Sequence, residues 1–306
     1  MAEFTLRQLQ YFMAVVDHGS VTAAAKAHHI SQAAVSMAVG QLEKSLGVEL
    51  FLRAQSKRMV PTPAGSDLAR HARQILQLVD EVEDTVVGGY EDLRGPLRIG
   101  STLTVSPRMV PPLVEHFVRN HPLVDVRVVE DSPAAVQEAV RGGRLDLALM
   151  YAMQRDPDLE AVEVADVQQH LLLPADHRMA GAQEIFLADV VEEPLILLDV
   201  PPTVERVLAI IRAHGLNPQL RWTSSNMETI RSMVARGLGY SFVNTVPRTD
   251  VTYDALRVAY VPIADDIPDN PIVAVLPPGH RAARRVREAV DFLQRLRTEE
   301  RSAPGP

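Results

Sequence analysis

The chain contains no cysteine among its 306 residues. That excludes disulfides, thiolate metal sites and any redox sensor built on a thiol. Aromatic residues are scarce, at 5% with a single tryptophan, so aliphatic side chains must supply most of the core. No apolar run reaches the roughly 18 residues that span a bilayer, and no charged-then-apolar leader opens the chain. The expectation is a soluble cytoplasmic protein with no membrane partner. Walker loops, nucleophile elbows and zinc-helix motifs are also missing, so no cofactor, no metal and no catalytic residue is expected.

What is present is a folded composition, 46% hydrophobic, with a net charge of −8. The charge is uneven. Residues 1–65 hold six basic side chains (Arg7, Lys26, Lys44, Arg53, Lys57, Arg58) against four acidic ones (Glu3, Asp17, Glu43, Glu49), so the negative excess lies in the remainder. A mildly basic head on an acidic body suits a molecule that touches phosphate with one end only.

The head is organised around Ser20 to Leu46, which reads as two short helices and a tight turn. Ser20 and Ser31 are N-caps, since their hydroxyls can accept from free backbone N–H groups one turn in. Between them, Ala23 to Ala27 is a run of helix formers broken by His28-His29-Ile30. The second helix puts Val35, Val39, Leu42 and Leu46 on one face. Its opposite face carries Ala33, Ser36, Met37, Gly40, Gln41 and Lys44. Such a small, polar face can enter a groove closely, as the second helix of a helix-turn-helix does in the major groove of DNA. Before it, Leu6, Leu9, Phe12, Met13 and Val16 form the buried stripe of a first helix, capped by Thr5 and ended by Gly19. After it, Gly47 stops the helix and Phe51 plugs the core. Arg53 to Val60 then forms a short hairpin with Lys57 and Arg58 near its tip, a basic wing placed to meet phosphate.

The segments LRQLQYF, GSVTAAAKAHHISQAAVSMAVGQLEKSLGVELFLR and PTPAG at 61–65 resemble the N-terminal domain of LysR-type transcriptional regulators. The resemblance implies that Gln32, Ser36 and residue 37 lie at the groove and that Arg53 contacts backbone. Two departures stand out. Ala33 stands where the family usually has Pro, and Met37 where it often has Arg. Without that Arg a bidentate contact to guanine is lost, and apolar contacts from Ala33 and Met37 to thymine methyls are expected instead. With Ser31, Gln41, Lys57 and Arg58, these residues make up the expected interface with double-stranded promoter DNA.

Leu68, Ala72, Ile75, Val79, Val82 and Val86 recur at alternating steps of four and three, an a/d seam over nearly three heptads. Because this helix ends at Gly88-Gly89 between two domains, a helix–helix dimer seam is expected, and two heads would then span two half-sites. The family resemblance adds a homodimer or homotetramer.

From residue 96, strands alternate with helices: strands at 97–99, 124–129, 145–150, 170–173, 195–198, 219–222, 240–243 and 272–276, helices at 107–119, 133–141, 203–213, 226–236 and 281–297. Mostly parallel sheets with helices on both faces follow. The fold class is therefore α/β with an N-terminal all-α winged helix-turn-helix, its body two doubly wound α/β subdomains. In such sheets ligands sit beyond the carboxyl ends of strands. That places Ser101, Thr102, Thr104, Asp131, Ser132, Tyr151, Asp199, Pro201, Thr203, Asn226 and Asn244 as candidates for a small-molecule effector. Ser132 before Pro133 is also a helix cap. Asp131 and Asp199 favour an effector bearing an amine or another hydrogen-bond donor.

The segments RGPLRIGSTLTVSPRMVPPLVEHFVRNHP, GGRLDLALM and SMVARGLGYSFV resemble the effector domain of the same family, built like type 2 periplasmic binding proteins. This implies two subdomains joined by crossover strands, placed near 162–168 and 261–268. The expected boundaries are 1–65 for the head, 66–95 for the linker helix and hinge, and 96–306 for the body, with 96–163 and 267–300 in one subdomain and 164–266 in the other. A cytoplasmic small-molecule-binding protein or enzyme with an accessory helix-turn-helix is the alternative. The adjacent His28 and His29 point apart in a turn and are expected to be simply exposed, and the arginines of the last helix (Arg281, Arg284, Arg285, Arg287) to form a solvated face.

Overall fold

The computed structural model describes residues 3–53, 58–86, 93–277 and 283–302. In the head, α1 (Leu6–His18), α2 (Val21–Ala27) and α3 (Gln32–Leu46) precede a two-stranded hairpin, β1 (Phe51–Arg53) and β2 (Met59–Pro61), and the long helix α4 (Pro63–Val86). Each start has a chemical reason. Thr5 and Gln8 form a reciprocal capping box, and Ser20 and Ser31 accept from the amides of Ala23 and Ala34. Gly47, at φ 70°, ends α3 in the left-handed conformation that glycine adopts without strain. Leu9, Phe12, Val15, Val35, Val39, Leu42 and Phe51 are buried together, with the Phe12 and Phe51 rings 5.3 Å apart. One expected core residue is not there. Leu6 is 44% exposed at the overhanging first turn of α1, and Val15 fills the core instead.

The PTPAG segment joins wing to linker. Thr62 accepts from the Gly65 amide through its hydroxyl and from the Ser66 amide through its carbonyl. Gly65 is buried where a Cβ would lie 2.0 Å from the Leu50 carbonyl oxygen, so only glycine fits. Helix α4 then packs its first turns on its own head. Ala69 and Ala72 are buried in the head core, with Leu68, Ile75 and Leu76 partly buried against it. This corrects the expected seam: Ala72 is fully covered by its own chain, and Leu68 and Ile75 face the same way. Further along, Val79 is half-buried while Leu78 and Val82 are 52% and 60% exposed. The Val86 side chain lies outside the described residues. Arg73, midway, donates to Asp17 on α1 at 2.6 Å and to the carbonyl of Gly142 in the body at 3.1 Å.

The body runs β3 (Gly95–Ser101), α5 (Ser106–Asn120), β4 (Val124–Glu130), α6 (Pro133–Arg141), β5 (Leu147–Tyr151) and β6 (Glu160–Ala165). It continues with β7 (His170–Pro174), β8 (Pro194–Leu198), α7 (Thr203–Ala213), β9 (Gln219–Ser224), α8 (Met227–Ala235), β10 (Tyr240–Val243), β11 (Val258–Pro262), β12 (Ile272–Leu276) and α9 (Arg284–Ser302). Two five-stranded sheets result, in the orders β4-β3-β5-β12-β6 and β11-β7-β10-β8-β9. Helices α5 and α9 cover one face of the first sheet and α6 the other, while α7 and α8 cover opposite faces of the second.

The sheets are mixed, not mostly parallel. β4-β3-β5 and β9-β8-β10 are parallel, whereas β12 and β6 join the first sheet antiparallel, and β7 and β11 the second. The antiparallel strands are those beside which the chain leaves one sheet or enters the other. A strand arriving from a neighbouring unit needs no helical crossover to set its direction. The chain crosses after β6, through 166–169, and returns after β11, through 263–271. The two crossings are tied together: Ile263 N–H donates to the Gln169 carbonyl at 3.2 Å, and Gln169 Nε2 to the Pro268 carbonyl at 2.8 Å. The last-helix arginines are also not all solvated. Arg285 is buried and donates from Nε to the Pro96 carbonyl at 2.6 Å; Arg281 lies outside the described residues.

Replacing Gly65 with Ala should destabilise the head by about 1–3 kcal/mol through forced displacement of β1 or α4. A lower urea midpoint for the head of the full-length variant is the expected reading, and an unchanged midpoint would mean that the close approach to Leu50 is not rigid.

Candidate functional site

Two surfaces bear on function. On α3, burial of Val35, Val39 and Leu42 turns Ala33, Ser36, Met37, Gly40, Gln41 and Lys44 outward, and all six are exposed. Met37, the one large apolar side chain of that face, is 61% exposed. Ser31 and Gln32 are exposed at the start of the helix, where the Ser31 hydroxyl also caps. Gln41 accepts from Gln8 Nε2 at 3.2 Å, which fixes its amide against α1. The wing is held by the register Leu52↔Val60 and Arg53↔Met59, and by the Met59 amide donating to the Gly19 carbonyl at 2.8 Å. Arg58 is exposed beside it. A shallow, open depression of about 510 Å³ lies there, lined by Val16, Asp17, His18, Gly19, Ser20 and Arg58. The backbone of Arg53 belongs to β1; its side chain, and all of Lys57, lie outside the described residues.

The second surface is where the carboxyl ends of the parallel strands meet. In the first sheet, Asp131 N–H donates to the Ser101 carbonyl and Thr102 N–H to that of Leu149, so β3, β4 and β5 end as one edge. In the second, Asp199 N–H donates to the Ser224 carbonyl at 2.8 Å. The two edges touch through Tyr151 and Thr245, whose hydroxyls lie 2.6 Å apart. Burial pushes the Tyr151 phenol up to about 12, so it stays protonated at neutral pH and keeps a proton for this bond. Thr102 is buried, and its Oγ1 has no hydrogen-bond partner among the described residues. Such an atom costs stability unless something else meets it.

A model of the bacterial regulatory helix-turn-helix of the lysR family matches residues 6–66, and one of the LysR substrate binding domain matches residues 91–297. The chain belongs to the LysR family of transcriptional regulators. A probable hydrogen peroxide-inducible genes activator of Streptomyces viridosporus is 30% identical over 305 residues, 98% of this chain and 96% of its own length. The RuBisCO operon transcriptional regulator of Allochromatium vinosum is 31% identical over 241 residues, 78% of this chain and 79% of that protein. In the crystal structure of HinK, a LysR family regulator from Pseudomonas aeruginosa, the chain is 32% identical. There the match covers 96% of this chain and 99% of that one, with a TM-score of 0.64. Regulators of this family bind DNA and small effectors and commonly form oligomers, and this LysR protein has the family's helix-turn-helix head and α/β body.

The expected effector residues gather on the two edges but differ in how free they are. Ser101 is buried with its hydroxyl donating to the Thr102 carbonyl at 3.2 Å. Asp131 accepts from the Ser132 amide, Ser132 caps α6 through Ala135, and Asn226 caps α8 through Glu228 and Thr229. Asp199 and Pro201 are exposed, and Thr104, Thr203 and Asn244 are half-buried. Among the described residues neither Asp131 nor Asp199 is in an ion pair. Sequence reading passed over Arg108, which donates to the Asp166 carbonyl at the first crossing, and over the buried Ser241 hydroxyl, which has no partner among the described residues. Both are polar residues inside apolar helix and strand patterns, where periodicity carries no mark of function.

Tyr151→Phe should remove the bond between the edges and leave the ring in place. A loss of about 1 kcal/mol is expected, read as about fivefold faster hydrogen exchange at the amides of 244–246. Exchange at the wild-type rate would show that the two hydroxyls do not hold the edges together.

Proposed function

We propose that this LysR-family protein is a dimeric regulator and not an enzyme: residues 1–65 read promoter DNA, 66–95 pair the subunits, and 96–306 bind a small effector. The observation that carries the DNA reading is the outward face of α3, polar and small around one large thioether, beside the exposed Arg58 of the wing. Ser31, Gln32, Ala33, Ser36, Met37 and Gln41 then meet the groove, with Arg53, Lys57 and Arg58 on phosphate. For pairing, the described apolar side chains of α4 beyond the turns packed on its own head are Leu78 and Val82, which are exposed, and Val79, which is half-buried. Burial of each such aliphatic side chain contributes on the order of 1.5 kcal/mol.

The effector reading rests on Thr102, Tyr151, Thr245, Asp199 and the half-buried Thr104, Thr203 and Asn244 at the facing strand ends. With carboxylates at Asp131 and Asp199, a molecule with an amine or another donor fits this cleft better than a bare carboxylate. A relative is named for induction by hydrogen peroxide. This chain has no cysteine, so oxidation of a thiol cannot be its signal, and reversible binding takes that place.

A gel shift with DNA from upstream of its own gene tests the reading. Specific retention that weakens as salt rises is expected, from release of counterions at the phosphates. Met37→Arg should change base preference at one position of each half-site in a binding-site selection, toward guanine; unchanged preference would remove Met37 from the base-reading set. Val82→Lys should halve the mass seen by light scattering and weaken operator binding by about tenfold or more, because the two heads lose their shared tether. A variant that stays dimeric would place the pairing surface elsewhere.

A further inference from the structure

Three potential metal ligands meet on the outer, helical side of the first sheet, away from both surfaces described above. His116 on α5, His121 just beyond the end of α5 and Glu288 on α9 each offer one ligand atom within 4.8 Å of the others. His116 Nε2 lies 2.9 Å from Glu288 Oε1, and Asn120 Nδ2 lies 3.1 Å from His116 Nδ1. The His116 ring stacks on Phe292 at 4.1 Å, and the His121 ring lies 5.4 Å from His116 and 5.5 Å from Phe117. All three ligands are half-buried. Aromatic packing thus holds both rings, and Asn120 holds that of His116.

The arrangement is incomplete as a hydrogen-bond network. Among the described residues the His121 imidazole has no hydrogen-bond partner, and Glu288 Oε2 has none either, since His116 and Arg295 both use Oε1. We propose that His116, His121 and Glu288 form a zinc site that joins α5 to α9, with water in the fourth position. Two imidazoles and a carboxylate are a common zinc set, and the chain has no thiolate to compete. With Asn120 donating to Nδ1, the His116 proton sits on Nε2 and is shared with Glu288. Zinc takes that proton's place at Nε2, the proton moves through solvent to Nδ1, and Asn120 gives up its bond to Nδ1 while its Nδ2 keeps the one it donates to the His116 carbonyl at 3.0 Å. Arg295 stays on Oε1 while Oε2 takes the metal. A purely structural histidine–carboxylate pair would need none of this and would leave His121 idle.

The test uses untagged full-length protein, stripped with EDTA and dialysed, then titrated with zinc chloride against a chromophoric chelator. Metal content is read independently by elemental analysis. One zinc per chain is expected, with a dissociation constant of about 1 µM or tighter, and a melting point that rises with zinc. His121→Asn and Glu288→Gln should each weaken binding by about tenfold or more and abolish the thermal shift. The metal-free melting point of His121→Asn, which removes no hydrogen bond among the described residues, should match that of the wild type, which separates lost ligation from lost folding; Glu288→Gln also gives up the ion pair with Arg295 and is read by its zinc affinity. The double variant His28→Asn/His29→Asn removes the exposed pair in the head and should bind zinc as the wild type does. Less than one equivalent on the wild type, or wild-type affinity in both His121→Asn and Glu288→Gln, would overturn the site.

Discussion

Everything about the reading head depends on α1 being covered on two sides at once. Its Leu9, Phe12, Met13 and Val15 are buried under α3 and the first turns of α4, each large side chain contributing about 1.5–3 kcal/mol. With that side taken, α3 has one orientation in which Val35, Val39 and Leu42 are dry. That orientation alone displays Ala33, Met37 and Gln41. The alanines at 69 and 72 let α4 lie close without wedging α1 aside, so the helix that links the domains is also a wall of the head core. Recognition surface and linker are therefore not separable parts joined by a string.

Much of this was legible in the residues because the signals are local. Thr5, Ser20 and Ser31 are caps because a hydroxyl meets an amide three residues on, and Gly47 stops a helix because of its own φ. The alternation in the body marked its five helices and all its strands but β6 and β11 for the same reason; those two were placed only as crossovers, by the family resemblance. What was lost is relational. Hydrophobic runs such as those of β7 and β12 look the same in a parallel or an antiparallel neighbour, so the mixed sheets were misread. A heptad stripe says which residues share a side, not what lies against them; Ala72 faces its own head while Val82 faces outward. Arg285 illustrates the same gap from the polar side, since no sequence pattern announces that the Pro96 carbonyl waits for it.

The effector candidates show what a rule about strand ends leaves unsorted. Polar residues collect there for two purposes, satisfying helix starts and meeting ligands, and only coordinates separate them. Ser132 and Asn226 have their oxygens committed to amides of α6 and α8. Thr102 has a buried hydroxyl with no hydrogen-bond partner among the described residues. The residues that bring the edges together, Tyr151 and Thr245, lie 94 positions apart, and their pairing follows only from the chain crossing between sheets and back.

That pairing has a thermodynamic corollary. The closed gap already holds a phenol and an alcohol in mutual contact, so a visitor is credited only with the difference between its own contacts and the one it displaces. Greasy molecules of the right size would gain little there, having nothing to give Thr245 in exchange. Under the proposed effector reading, hydroxyl- or amine-bearing molecules are therefore favoured there over purely apolar ones.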